Sequence, residues 1–259
     1  MTDALLKIDN LSLLEIESGQ YLLENISFEL YKGEVLGIFG DSGCGKSLLC
    51  KSILGLYPHN LLRFGVIEYF DSSKYNSLIN STFLQEVRGK KISIMFQHVL
   101  KSLNPMLKNK FQIMQVNCLN YNYDEILKLF LEIGLDEPNR IMEKYPHELS
   151  GGELTRFGLA MAILCNPEVL ILDEAFVSID RNIRSKFMKL LLSYARKKGI
   201  SLIVVTHDPG VLRIIADNLV VMKNGRIIEK LSVEHFFTNP RSEYLKKLIN
   251  AYENLYDGF

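Results

Sequence analysis

Gly40-Asp41-Ser42-Gly43-Cys44-Gly45-Lys46-Ser47 is the stretch that decides the fold. It fits G-x-x-x-x-G-K-[ST], a loop that wraps phosphate groups. Before it runs Val35-Leu36-Gly37-Ile38-Phe39, a short apolar segment that reads as a buried strand. After it, Leu48 to Leu54 is apolar on one side at helical spacing. Strand, glycine loop and helix together are the context the motif needs. Gly40, Gly43 and Gly45 let the backbone curl so that its N–H groups point at a polyphosphate. The following helix aims its positive end at the same place. Lys46 is a point charge for the outer phosphates, and the Ser47 hydroxyl is a ligand for Mg²⁺. The whole run from Gly40 to Leu48 is therefore read as a nucleoside triphosphate site, with Asp41, Ser42 and Cys44 completing the loop.

Composition narrows the rest. A chain of 259 residues, 47% of them hydrophobic, suits one large α/β domain or a domain with an inserted lobe. Lys+Arg and Asp+Glu are equal at 30 each, whereas a nucleic-acid binder should carry a basic excess. A chain without net charge is poorly protected against association, which suits a subunit of something larger. Cys44, Cys50, Cys118 and Cys165 form no Cys-x-x-Cys pair and no zinc spacing, so reduced structural thiols are expected. The N-terminus lacks a signal-type apolar core, and no apolar run approaches the length of a membrane span. The expectation is a soluble or peripheral protein.

Working outward from the loop, the stretches around Leu6 and Ile8 and around Ile26, Phe28 and Leu30 alternate apolar with polar residues. They read as strands with one wet face. Val66 to Phe70 is a further strand, and the polar run from Asp71 to Ser81 is expected to be a loop. Lys91 to Phe96 is a strand ending at Gln97. The segment from His98 to Asn109 is apolar but broken by Asn104-Pro105. It suits tucked core and a docking surface for a partner equally well. Helices are expected over Asp124–Ile133, about Gly152–Leu164, Asp180–Lys198 and Tyr244–Tyr252. Val169–Leu172 and Ser201–Val205 read as buried strands, and Asn224-Gly225 marks a hairpin. Strands alternating with helices argue for an α/β protein with a mainly parallel sheet. The helical stretch from about Gln97 to Leu164 reads as an inserted lobe.

Two more pieces carry chemistry. The apolar strand ending in Asp173-Glu174 supplies what a phosphate-loop enzyme needs second. Asp173 would hold Mg²⁺ through its water shell, and Glu174 could polarise an attacking water as general base. Leu149-Ser150-Gly151-Gly152-Glu153 opens a helix with a serine and two glycines. That is either another anion-ready N-terminus or a helix start with a plain Ser cap.

In order and spacing, Gly40–Ser47, Gln97, Leu149–Glu153, Leu170–Glu174 and His207 resemble the ATP-binding subunits of ABC transporters over nearly the whole chain. A narrower resemblance is to the ATPases of dipeptide, oligopeptide and nickel importers. It rests on Arg88–Ile92 leading into Met95-Phe96-Gln97, on Ser102–Pro105, on Tyr145–Glu148, and on Asn239-Pro240 with Tyr244. The resemblance implies the P-loop ABC ATPase fold. Residues 1–96 and 165–259 would form the core, with an N-terminal antiparallel β part, and 97–164 the Q-loop and α-helical subdomain.

The resemblance also implies how the site works. Head-to-tail pairs of such ATPases hold two ATP molecules, each with Mg²⁺, at their interface. Lys46, Ser47, Gln97, Asp173, Glu174 and His207 would serve one ATP, with Ser47, Gln97 and Asp173 facing the metal. Leu149, Ser150, Gly151, Gly152 and Glu153 would close over the partner's ATP, and Asp180 would lie at the dimer interface. Tyr21 is the nearest candidate to stack on adenine. The apolar loop after Gln97 falls where a membrane subunit would dock, which favours the partner surface. Expected partners are a second related ATPase, two permease subunits and, indirectly, an extracytoplasmic solute-binding protein, with no nucleic acid. The expected location is peripheral, on the cytoplasmic face of the inner membrane.

The sequence departs from the family at Ala175, where proline is usual, and in Phe176–Ile179, where small residues are usual. Glu153 and Thr155 stand where glutamine is commoner. The chain ends at Phe259 without the cysteine-rich extension of some peptide-importer members, which leans toward the shorter nickel type. The expected function is to energise uptake of nickel, nickel chelates or small peptides. The competing readings are a soluble ABC ATPase of translation or DNA repair, and a non-hydrolysing partner subunit.

Overall fold

A computed structural model of the chain describes residues 4–71, 74–78, 81–117, 119–176, 179 and 181–256. Its elements run β1 (Leu6–Glu15), β2 (Tyr21–Leu30), β3 (Val35–Gly40), α1 (Lys46–Ile53), β4 (Leu61–Asp71), β5 (Lys74–Ser77), α2 (Ser81–Val87) and β6 (Ile92–Met95). Then follow α3 (Asn109–Gln115), α4 (Tyr123–Glu132), α5 (Pro138–Glu143), α6 (Gly151–Ile163), β7 (Val169–Asp173) and α7 (Arg181–Lys198). The chain closes with β8 (Ser201–Thr206), α8 (Pro209–Ile215), β9 (Asn218–Lys223), β10 (Arg226–Ser232), α9 (Val233–Thr238) and α10 (Glu243–Tyr256).

The chain forms two compact units. The first comprises residues 1–80 and 204–259, the second 81–203. In the first, β1, β2, β4 and β5 make an antiparallel sheet in the order β2-β1-β4-β5. Leu6, Ile8, Leu11, Leu13, Ile26 and Leu30 are buried there in a period-two pattern that a register shift interrupts between Ile8 and Leu11. Beside it, β3 pairs in parallel with β9, and β9 pairs antiparallel with β10 across the Asn224-Gly225 turn. Every residue of β3 is buried. Its first N–H is fixed by Asp217, whose Oδ2 accepts from Val35 N at 2.8 Å.

In the second unit β6 and β7 are parallel neighbours, Ile92 opposite Val169 and Met95 opposite Leu172. Phe130 of α4 and Phe157 of α6 meet edge to face at 5.9 Å and anchor the helices. Gly158 of α6 lies against Val99, so close that a Cβ there would come within 2.6 Å of Val99 Cγ1. That contact ties α6 to the one-turn 3-10 helix Val99–Ser102 just after Gln97.

Several expectations change. The run from Asp71 to Ser81 is not all loop: Lys74–Ser77 pairs with β4 as an edge strand, and a helix starts at Ser81. The strand expected at Val66–Phe70 extends from Leu61 to Asp71. Helices α8 and α9 are additional; Asp208 and Ser232 cap them, each accepting from a backbone N–H. Cys44 and Cys50 are buried and outside any disulfide, but Cys165 is disulfide-bonded, against the expectation of reduced thiols throughout. Cys118, Val177, Ser178 and Asp180 lie outside the described residues. No helix among the described residues is long and apolar enough to cross a membrane.

Candidate functional site

In the first unit the predicted loop links β3 to α1. Gly43 and Gly45 have φ of 82° and 104°, where a side chain would be strained. At Gly45 a Cβ would also run into Leu23 Cδ2 at 2.7 Å. Gly45 is the N-cap of α1 and carries no side chain to satisfy the helix's first N–H groups, which leaves that end suited to an anion. Lys46 is buried, and its Nζ donates to the Gly40 carbonyl at 2.8 Å and the Asp41 carbonyl at 2.9 Å. The Cys44 thiol is pushed above its ordinary pKa by burial, against the pull of Lys46, so it stays a packed loop residue.

The hairpin turn covers the loop from one side, with Gly225 N donating to the Cys44 carbonyl at 3.0 Å. Leu23 reaches the end of the loop, and Tyr21 lies two residues before it. A register irregularity between Leu13 and Leu14 pairs Tyr21 with Leu14. Tyr21 is half-exposed, an apolar ring open to solvent at the start of β2. His207 follows the buried strand β8 and is exposed. Its flanks are pinned: Asp208 N donates to Thr206 Oγ1 at 3.0 Å, and Asp208 Oδ1 accepts from Gly210 N at 2.9 Å.

In the second unit the parallel pairing of β6 and β7 does the assembling. Asp173 ends β7 and is buried. Glu174 has φ of 49°, a left-handed conformation that non-glycine residues adopt at a local cost and that recurs at functional sites. Gln97 Nε2 donates to Glu174 Oε2 at 2.9 Å. Ala175, Phe176 and Ile179 are buried, so the described residues of the unusual segment after Glu174 are core. Phe176 meets Phe187 of α7 at 5.7 Å, and the Arg156 guanidinium lies over the same Phe187 ring at 5.2 Å.

The Leu149–Glu153 stretch opens α6 with a capping box. Ser150 Oγ accepts from Glu153 N at 3.3 Å, and Glu153 Oε2 accepts from Ser150 N at 2.8 Å. Glu153 also takes a hydrogen bond from Arg140 of α5. Burial opposes ionisation of Glu153, but the Ser150 N–H and the Arg140 guanidinium overcome it and hold the carboxyl below its ordinary range. Gly151 is exposed and Gly152 half-buried, so this helix start is open at its surface.

Sequence reasoning missed Gln112, which organises the apolar loop. The side chain is buried. Its Oε1 accepts from Asn104 N at 2.8 Å, and its Nε2 donates to the Asn104 and Leu107 carbonyls at 3.1 and 2.9 Å. The loop is thus shaped from within, while Leu100, Met106, Phe111 and Met114 stay exposed around it, Met106 at 81%. A glutamine three residues into a short helix carries no sequence signal for this role.

Among the described residues no group of three His, Cys, Asp or Glu side chains could cage a metal ion. Mg²⁺ needs no such cage, because it keeps water and takes substrate phosphate oxygens with one or two carboxylates. Each unit offers hard oxygen donors of the kind it prefers: the Ser47 hydroxyl in the first, the Gln97 amide oxygen and the Asp173 carboxylate in the second.

Residues 23–177 match the family model described as "ABC transporter". The chain is 34% identical over 262 residues to the metal-staphylopine import system ATP-binding protein CntD of Staphylococcus aureus, covering 98% of this chain and 96% of that one. It is 33% identical over 238 residues to the oligopeptide transport ATP-binding protein OppD of Lactococcus lactis subsp. cremoris, covering 90% of this chain and 70% of that one. Among solved structures it is similar to a dimeric post-hydrolysis ATP-binding cassette bound to ADP and Pi, with TM-score 0.75 and 25% identity over 88% of this chain and 98% of that one. It is also similar to cbiO1 of Clostridium perfringens, part of the ABC transporter complex cbiONQ, with TM-score 0.74 and 27% identity over 98% of this chain and 96% of that one.

Proposed function

Since the chain belongs to the ABC transporter family, whose ATPases couple ATP hydrolysis to transport, we propose that it energises an importer of nickel, metal chelates or small peptides. The relatives named for oligopeptide, dipeptide and metal-staphylopine import support that solute range. In this reading the Gly40–Ser47 loop and the start of α1 bind the phosphates. Lys46 exchanges its loop carbonyls for phosphate oxygens. Ser47, Gln97 and Asp173 hold Mg²⁺, which supplies charge neutralisation on the phosphates. Glu174 takes a proton from the attacking water, and His207 contacts the γ-phosphate.

The observation that carries the reading is the Gln97–Glu174 hydrogen bond at 2.9 Å. It orients a carboxylate at the end of a buried strand, as a general base requires. It also starts the loop whose exposed Leu100 and Met106 suit a membrane subunit. Ser150 to Gly152 would close over ATP held by a second, related ATPase. Residues 97–164 are the lobe that moves with the permease pair, on the cytoplasmic face of the membrane, and Tyr21 offers adenine an aromatic face. The solute-binding protein acts through the permeases. Intact Lys46, Asp173, Glu174 and His207 argue against a non-hydrolysing subunit.

The test is uptake of radioactive nickel and of a labelled dipeptide in cells lacking this gene, complemented with wild type or Lys46→Ala. Loss of either uptake, restored by wild type and not by the variant, is expected. Unchanged uptake of both would overturn the solute range.

A further inference from the structure

The side chain of Arg156 has no part in the roles above, yet it meets several elements of the second unit. It lies one turn into α6, and side chains on a helix lean toward the helix N-terminus. Its guanidinium therefore reaches back beside Gly152, where an added Cβ would lie 3.5 Å from Nη1. Gly134, just past α4, flanks it as well, with an added Cβ there 3.7 Å from Nε. The guanidinium carbon stands over the Phe187 ring of α7, 5.2 Å from the centroid. Nε is buried without a hydrogen-bond partner among the described residues. The ring face, rather than a hydrogen bond at Nε, holds the group in place. A cation partly stripped of water gains most from such a face.

Phe187 carries the contact on toward Glu174. It is buried, and its ring meets that of Phe176 at 5.7 Å and 62°. Phe176 stands two residues after Glu174. Arg184, three residues before Phe187, donates from Nη2 to the Ile179 carbonyl at 3.1 Å and pins α7 to the same segment. On its other flank α6 packs Gly158 against Val99, two residues after Gln97. Gln97 in turn donates to Glu174. The helix that opens at Ser150 is thus tied to both members of the Gln97–Glu174 pair, through Val99 on one side and through Phe187 on the other. Removing the cation opens the Phe187 side and leaves the Val99 side intact.

We propose that Arg156 is a positioning residue for ATP hydrolysis: stacked on Phe187, it fixes the Gly151-Gly152 opening of α6 relative to the segment that carries Glu174. The inference rests on reading Glu174 as the general base and Ser150 to Gly152 as the part that closes over a partner's ATP. It adds that the two are held together within one unit by a cation on an aromatic face.

The test measures ATP turnover against ATP concentration in the chain assembled with its partner ATPase and membrane subunits, together with the thermal unfolding midpoint of the chain. The variants are Arg156→Met, Arg156→Lys, Phe187→Leu, the Arg156→Met/Phe187→Leu double, and Glu174→Gln as reference. Arg156→Met keeps an unbranched stem and removes the charge. It should lower kcat about three- to tenfold, the range of one partly desolvated cation on a ring, with KM for ATP within about twofold of wild type. Its midpoint should stay near that of wild type. Arg156→Lys, which keeps a cation for the ring, should lose less. Arg156→Met should cost nothing further in the Phe187→Leu background, as two residues acting through one contact require. Normal kcat in Arg156→Met, with Glu174→Gln impaired, would overturn the proposal and leave the reading of Glu174 standing. Equal losses in Arg156→Met and Arg156→Lys, fully additive losses in the double, or a loss that follows a large fall in midpoint would overturn it too. Normal kcat in Glu174→Gln would instead bring down the reading of the base, and the proposal with it.

Discussion

Gln97 and Glu174 each lie two residues beyond a paired position of adjacent parallel strands, Met95 opposite Leu172, and their side chains meet at 2.9 Å. Strand register therefore aligns the pair, and the left-handed turn at Glu174 completes the approach. Gln97→Ala removes the donor and leaves the carboxylate to reorient. Hydrolysis should fall about tenfold or more, the worth of one hydrogen bond to a charged group, with ATP binding within about twofold of wild type. Steady-state phosphate release beside equilibrium nucleotide binding checks the split. A Gln97→Ala protein that hydrolyses at the normal rate would remove the pair from the mechanism.

Gln112 offers a second prediction. Gln112→Leu keeps the volume but strips Asn104 N and two carbonyls of their partner, so the chain should lose about 1–3 kcal/mol of stability. Because the loop it shapes carries the exposed Leu100 and Met106, coupling should suffer more than basal hydrolysis. Thermal unfolding, with ATPase assays in the presence and absence of the membrane subunits, reads both effects. Full stimulation by those subunits would contradict a docking role for the loop.

The helix that opens at Ser150 has a pH signature. The carboxyl of Glu153 is held below its ordinary range, so its contribution is present above the unfolded carboxylate pKa and fades as pH falls through the folded one. Glu153→Gln should therefore lower the unfolding midpoint at pH 7 by a small amount. The effect is small because solvent screens the Arg140–Glu153 pair. The gap to wild type should close as pH falls below the ordinary carboxylate range. Calorimetry across that range would show it, and a gap independent of pH would assign the effect to packing.

The local parts of this fold were legible because each carries its own chemistry. The glycines of the loop, the wholly buried, mainly apolar strands β3, β7 and β8, and the Asn224-Gly225 turn are set by near neighbours in sequence. The edge strand Lys74–Ser77 was hidden because it is polar and half-exposed, with no alternation to read. Helix α8 was missed although Asp208-Pro209 is a cap followed by proline at the first helical position, a signal that was present and unread. The pairing of β6 with β7, which brings Gln97 to Glu174, spans 77 residues and has no local signature. The buried segment Ala175–Phe176 looked like a departure from pattern and proves to be core, packed on Phe187.

The central claim is that this chain hydrolyses ATP with Glu174 as general base. It is tested most directly by measuring ATP binding and phosphate release side by side in wild type and Glu174→Gln, reconstituted with its membrane subunits. The account predicts that the variant binds ATP as wild type does and releases phosphate about 10²–10⁴-fold more slowly, the usual worth of a general base. Turnover near the wild-type rate in Glu174→Gln would contradict it.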